Sequence, residues 1–135
     1  MAEKGRTRPV SIIQVREYLA KAEEYFLAAS TELEAERGIA ATSLAIHAGI
    51  NAAEAVCGAR LQGRAAGQTH NEVIKLLGRA GDDGVKLAKD LQRLLPMTTK
   101  AEYEPDDIPL SAASQAVERA QRCVTIARRV VGSLL

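Results

Sequence analysis

Apolar residues recur at steps of three and four along most of the chain, which is the spacing of one face of an α-helix. The first such stripe lies between Ser11 and Gly38 and comprises Ile12, Val15, Leu19, Ala22, Phe26, Ala29 and Leu33. Ser11 and Gln14 have the spacing of a capping box, which predicts the start of this helix. Gly38 is predicted to end it in a left-handed conformation.

A second helix is predicted over about residues 40–62, and its sequence is rich in small residues. Small side chains let a neighbouring helix approach closely, so this face is also a candidate for a dimer contact. Its members are Ala45, Ala48, Gly49, Ala52 and Ala53. The following stretch, GRAAGQ at 63–68, is predicted to be a loop.

Two shorter helices are predicted next. Thr69 and Glu72 have the spacing of a second capping box, which predicts the start of a third helix that runs to about Ala80. The tetrapeptide GDDG is predicted to form a turn before a fourth helix at about 84–95, which Pro96 ends.

The longest segment without periodicity spans residues 96–110 and contains three prolines. Ser111 is predicted to cap a closing helix with the apolar stripe Ala113, Val117, Ala120, Val124, Ala127, Val131 and Leu134. Because no run alternates between apolar and polar residues, the pattern predicts an all-α, antiparallel up-and-down bundle of four to five helices. A single domain is expected over residues 11–135, after a flexible basic tail at 1–10.

Composition supports closely packed helices. Aromatic residues make up 3% of the 135 residues and Trp is absent, so the core is expected to consist of Ala, Leu, Ile and Val. No apolar run in the sequence approaches the roughly 20 residues of a membrane span. The N-terminus lacks the apolar segment of a secretion signal. We therefore expect a cytoplasmic protein without a membrane contact.

Charge and cysteines limit the possible chemistry. The net charge of +1 gives no overall basic field, although residues 11–37 hold six acids and three bases and residues 59–80 hold four bases and one acid. Cys57 and Cys123 lie in apolar helical stretches, where buried free thiols are expected, although a disulfide is geometrically possible. The two His and two Cys do not have metal-ligand spacing, and no glycine-rich nucleotide motif is present. No metal or cofactor is expected.

Four segments together resemble small bacterial HEPN-domain proteins: LAIHAGINAAEAVCGARLQG, GQTHNEVIKLL, LQRLLPMTTKAEYEP and the Ala-rich closing helix. The resemblance covers about residues 11–131. It implies a helical bundle that is commonly a homodimer and that acts in RNA or nucleotide chemistry. A nucleotidyltransferase-type partner is frequent in the family, and such a partner would favour a toxin–antitoxin or signalling role. Many members cut RNA with an Arg followed, after four to six residues, by a His.

Arg64 and His70 have this spacing, with five residues between them. A histidine titrates near neutral pH, and an arginine stabilises the charge on a phosphate, so the pair is a candidate metal-independent endoribonuclease site. In catalytic family members the pair usually lies near the start of the closing helix, and here that helix contains no His. We therefore expect a noncatalytic module that dimerises and binds a protein or nucleic-acid partner, with a toxin-like ribonuclease as the alternative.

Three further features are candidates for binding. Tyr103 and Lys100 are suited to stack a base and to hold a phosphate, although Tyr103 is also suited to anchor its loop to the bundle. A basic ridge on the closing helix is suited to contact RNA or an acidic surface such as the first helix of a second subunit, or to be a solvated face. This ridge comprises Arg119, Arg122 and Arg129. His47 is expected to be a hydrogen-bonded histidine within a helix–helix contact.

Overall fold

The computed structural model describes residues 7–66 and 70–134. It is a helical bundle, as the hydrophobic pattern predicts. The helices are α1 (Ile12–Glu34), α2 (Gly38–Leu61), α3 (His70–Leu77), α4 (Gly81–Leu94), α5 (Thr98–Glu102) and α6 (Leu110–Gly132). Two short strands, β1 (Thr7–Pro9) and β2 (Gly63–Ala65), form an antiparallel ribbon. The all-α prediction is confirmed; the five-residue α5 is an additional element.

The centre of the bundle is α2, around which α1, α4 and α6 pack. Nearly every residue of α2 from Ala45 to Ala59 is buried, whichever way its side chain points. A helix that is apolar on all sides is expected to be a core helix. In the described part of the chain, α2 alone is long and apolar enough to cross a membrane, and 67% of its apolar window is buried in the bundle.

The small residues of α2 serve the packing of this chain. A methyl group at Gly49 would lie 2.9 Å from Leu94 Cδ1, and one at Gly58 would lie 2.7 Å from Val15 Cγ2. The small-residue face is buried inside its own bundle. It is therefore unavailable to a second subunit, and the prediction that it forms a dimer contact is wrong.

The ends of α1 and α6 show which capping predictions hold. The Ser11 hydroxyl accepts a hydrogen bond from the Gln14 backbone at 3.2 Å and the Gln14 side chain accepts one from Ser11 at 3.0 Å, which confirms the capping box. Gly38 does not end α1: Glu36 has the positive φ of 62°, and Gly38 begins α2. Ser111 is not a cap, because α6 starts at Leu110 with Pro109 at the N-cap.

Residues 7–10 and 63–66 differ from the predicted tail and loop, whose other residues, 1–6 and 67–68, lie outside those described. β1 pairs with β2, and the Val10 amide donates to the Gln62 carbonyl at 3.0 Å. Val10 is buried against α1 and α2, so these residues are an ordered edge of the fold and not part of a flexible tail. Strands of three residues are too short to show alternation. The predicted Thr69–Glu72 capping box includes a residue outside those described.

The connection between α3 and α6 is more helical than predicted. The GDDG sequence forms the first turn of α4, where Asp82 and Asp83 face the positive end of the helix dipole. Pro96 lies in a short 3-10 turn at Leu95–Met97 that leads directly into α5. The chain then runs without regular structure from Tyr103 to Pro109.

Candidate functional site: a basic groove between α4 and α6

The two residues of the predicted catalytic pair, Arg64 and His70, lie on two different elements. Arg64 lies on β2, with Nη1 3.6 Å from Oε2 of Glu54 on α2 and 3.4 Å from the Ala65 carbonyl oxygen to which it donates. His70 is exposed as the first residue of α3. Within residues 7–66 and 70–134, the ionic partner of Arg64 is Glu54. The guanidinium is thus engaged with a carboxylate of its own fold.

Burial shifts the pKa values of the ionisable groups near Arg64. Glu54 is 7% exposed, and desolvation raises its pKa above the ordinary value, although Arg64 partly offsets the rise. One turn along α2, burial and the Glu54 charge raise the pKa of Cys57 to about 12. Burial also raises the pKa of Cys123. Both cysteines are free, as predicted, and their thiols are poor nucleophiles at neutral pH.

His47 joins three helices. Its ring stacks on Tyr25 of α1 at a centroid distance of 5.2 Å, and its Nε2 lies 3.7 Å from Oε1 of Glu102 on α5. The Ser43 hydroxyl donates to the same carboxylate oxygen. The predicted packing of His47 between helices is confirmed, but its contact with the Glu102 carboxylate is longer than the predicted hydrogen bond. This cluster fastens α5 to α2.

Tyr103 does not anchor the segment after α5. Its side chain is 80% exposed, so the prediction that the ring tucks against the bundle is wrong. Ile108, which is 4% exposed, is the anchor. Residues 103–107 protrude between that anchor and the Glu102 contact, and Lys100 lies within α5, one turn before Tyr103.

The predicted basic ridge faces α4, where one carboxylate holds two arginines. Arg122 donates to Oδ1 of Asp90 through Nε at 3.1 Å and Nη2 at 2.9 Å. Nη1 of Arg119 lies 3.5 Å from the same oxygen. The hydrogen bond to Asp90 raises the pKa of Arg122, which therefore stays charged at every physiological pH.

A second carboxylate repeats this arrangement two turns away. Asp83 pairs with Arg129 of α6 and, at 3.0 Å, with Arg60 at the end of α2. The hydrogen bond from Arg129 lowers the pKa of Asp83. Asp83 and Asp90 are seven residues apart on α4, and Arg122 and Arg129 are seven residues apart on α6. Seven residues of helix span about 10.5 Å, which is therefore the separation of the two ion pairs.

Between the two helices lies an open groove of about 840 Å³, which we call the basic groove. Its lining residues are Lys86, Lys89, Asp90, Glu118, Gln121, Arg122, Thr125, Ile126 and Arg129. Four of them are bases and two are acids. Ile126 and the aliphatic parts of the long side chains supply apolar surface.

The outward surface of this groove is more positive than its composition alone suggests. The side chain of Asp90 is 14% exposed and that of Asp83 is 20% exposed, whereas Arg122 and Arg129 are 53% and 56% exposed. The two guanidinium groups therefore cover Asp90 and Asp83 and face solvent, whereas Glu118, the other acid of the groove, is exposed. Lys86 and Lys89 add two exposed charges that have no ion-pair partner among the described residues.

Two of the four bases that line this groove, Arg122 and Arg129, belong to the ridge predicted from the sequence. The pattern of residues on α6 indicates that ridge, but it gives no indication of the residues on α4 that complete the groove. Asp83 and Asp90, at the same seven-residue spacing as Arg122 and Arg129, were the available signal. No cluster of three or more His, Cys, Asp or Glu side chains suited to a metal occurs in the parts of the chain that the structure describes.

Comparison with known proteins adds no family. Neither a scan against protein-family models nor a search of curated proteins found a match to this chain.

Proposed function

We propose that the chain is a noncatalytic, HEPN-like helical module of the cytoplasm that forms a homodimer and binds RNA through the basic groove. The observation that carries the proposal is the arrangement of positive charge. The largely buried carboxylates of Asp90 and Asp83 hold the exposed side chains of Arg122 and Arg129 in fixed positions. Two lysines, at positions 86 and 89, project beside these arginines.

The chemistry of these side chains favours a phosphate backbone. Guanidinium groups donate in a fork that matches phosphate oxygens, and ammonium groups act as mobile point charges beside them. Aromatic side chains do not line the groove. A groove of this kind is suited to bind the phosphate backbone by charge, without base stacking.

A binding role agrees better with the surroundings of Arg64 than cleavage does. The guanidinium of Arg64 lies against the buried Glu54, which would oppose the approach of a phosphate. A ribonuclease that uses Arg64 and His70 would have to break this pair first. A nucleotidyltransferase-type protein is a further proposed partner, which rests on the family resemblance.

The test measures the affinity for single-stranded RNA as a function of salt by fluorescence anisotropy. The variant Lys86→Ala/Lys89→Ala removes two groove charges that make no ion pair. We expect about tenfold weaker binding, and a salt slope reduced by roughly 1.4 for two lost phosphate contacts on a single strand.

The matched control is Lys75→Ala/Arg79→Ala, which removes two exposed charges from the region of α3. We expect its affinity to stay within about twofold of wild type, because net charge alone contributes weakly at physiological salt. Equal losses in both variants, or no RNA binding at low salt, would refute the RNA-binding groove. Tighter binding of a poly-glutamate peptide than of RNA would assign the groove to an acidic protein partner.

A further inference from the structure

The segment after α5 carries the charge opposite to that of the basic groove. Residues Tyr103–Asp107, which we call the acidic loop, contain three carboxylates and no base. All five residues are exposed. The carboxylates are those of Glu104, Asp106 and Asp107. Tyr103 stands among them as the most exposed large hydrophobic side chain of the described residues.

The acidic loop is held at both ends. Before it, Glu102 contacts Ser43 and His47 on α2; after it, Ile108 is buried against the bundle beside Gly38. A protruding segment whose ends are fixed loses less conformational entropy on binding than a free peptide does. Tyrosine is one of the residues enriched among those that contribute most of the binding energy at protein interfaces.

The acidic loop does not line the groove of its own chain. The groove begins at Glu118, eight residues or about 12 Å beyond Leu110 on the continuous α6, and extends away from the loop to Arg129. The loop is fixed at the start of α6 by Ile108. The groove of each copy is therefore open to the acidic loop of another copy.

We propose that two copies of this chain associate by docking the acidic loop of one in the basic groove of the other, so that the loop and RNA compete for the same surface. Loop carboxylates contact Lys86, Lys89 and the exposed faces of Arg122 and Arg129. The Tyr103 ring lies on Ile126 and the aliphatic stems beside it. RNA binding and self-association are then mutually exclusive. The competition rests on the proposed function, whereas the loop–groove contact stands without it.

The test is sedimentation velocity over a range of protein concentrations. The loop variant is Glu104→Gln/Asp106→Asn/Asp107→Asn, and we expect about tenfold weaker self-association because complementary charges across an interface are lost. The matched control is Glu17→Gln/Glu24→Gln/Glu34→Gln, which removes three exposed acids from α1. We expect the control to associate as wild type does.

Mixing the loop variant with the groove variant gives the most specific test of the loop–groove contact. The loop variant keeps an intact groove, and Lys86→Ala/Lys89→Ala keeps an intact loop. Neither associates well alone, and their mixture is expected to form a heterodimer through the one intact contact. Failure of the mixture to associate, a wild type that stays monomeric at high concentration, or an equal loss in the α1 control would overturn the proposal.

RNA titrations separate this contact from the proposed function. The loop variant is expected to bind RNA at least as tightly as wild type, since its groove is free, and RNA is expected to dissociate wild-type dimers. Self-association that depends on the loop but does not respond to RNA would leave the contact standing and remove the competition.

Discussion

Glu54 is an acid in the interior of an apolar helix, 7% exposed, with the Arg64 guanidinium 3.6 Å away. Removing a carboxylate from water costs more than one partly exposed ion pair returns, which is why its pKa is raised. Its pairing with Arg64 ties β2 to α2. The pair is therefore a structural contact with a stability cost near neutral pH.

The variant Glu54→Gln is expected to change how stability depends on pH. A raised folded-state pKa stabilises the protein below the ordinary value of 4.5, and this stability is lost as the pH rises through the folded pKa. Glutamine does not titrate. We expect the variant to match wild type at about pH 4 and to be more stable at pH 7, where only the wild type carries the poorly solvated charge. Urea unfolding followed by circular dichroism at both pH values measures this, and a pH-independent difference would contradict it.

His70 is expected to have no role in cleavage. Because Arg64 is engaged with Glu54, we expect wild-type protein to degrade single-stranded RNA no faster than buffer, and His70→Ala to behave identically. A fluorophore–quencher RNA substrate detects the reaction. Cleavage by wild type that His70→Ala abolishes would establish the ribonuclease alternative in place of the noncatalytic module.

Single-residue contacts were the least predictable from sequence. The Arg64–Glu54 pair depends on Gln62, which takes a left-handed conformation with φ of 55° and turns the chain back along α2. A side chain at Tyr103 was expected to be buried because it is aromatic, yet Ile108 five residues later takes the core position. Which of two nearby apolar residues is buried depends on packing in three dimensions, and a local sequence pattern does not contain that information.

At the scale of elements, two glycines differ in the space around them, so substitutions at these positions test the packing of the helices. A methyl group at Gly84 would collide with the Leu77 carbonyl oxygen and would lie 2.7 Å from Ala80 Cβ, whereas one at Gly132 meets nothing within 4 Å. The backbone of α4 at Gly84 therefore lies directly against the end of α3, without room for a side chain.

We therefore expect opposite outcomes from the same substitution. Gly84→Ala should destabilise the protein by about 1–3 kcal/mol through overpacking. Gly132→Ala should be neutral or stabilise it by up to about 1 kcal/mol, because Ala has the higher helix propensity. Thermal or urea unfolding of the two variants checks this. A tolerated Gly84→Ala would mean that α3 and α4 do not meet as closely as described.

Long elements were predictable because their hydrophobic period repeats over many turns. The stripe from Val15 to Leu33 faces the core, and the capping box at Ser11 fixes the start of α1. Ile12, the first member of the predicted stripe, is 48% exposed, so that part of the prediction is wrong. Helix ends and short elements were not predictable in this way. Gly38 was assigned to the end of α1 because glycine favours positive φ, but its lack of a side chain is needed where α2 meets the Ile108 carbonyl. The β1–β2 ribbon joins residues more than fifty positions apart, which no local pattern reveals.

At the scale of the whole molecule, a nearly neutral chain separates its charges. The groove between α4 and α6 concentrates bases, and the loop before α6 concentrates acids, although the net charge is only +1. Composition therefore gives no sign of a local concentration of charge, whereas the packing of α4 on α6 creates one. The bundle itself followed from periodicity; the groove required the pairing of helices.

The most direct test of the basic groove is an NMR titration of ¹⁵N-labelled protein with single-stranded RNA at low salt. We expect the largest amide shifts near Lys86, Lys89, Arg122 and Arg129, and no shifts along the outer face of α1. Shifts centred on Arg64 and His70, or none at any residue, would contradict the assignment of the groove as the RNA-binding surface.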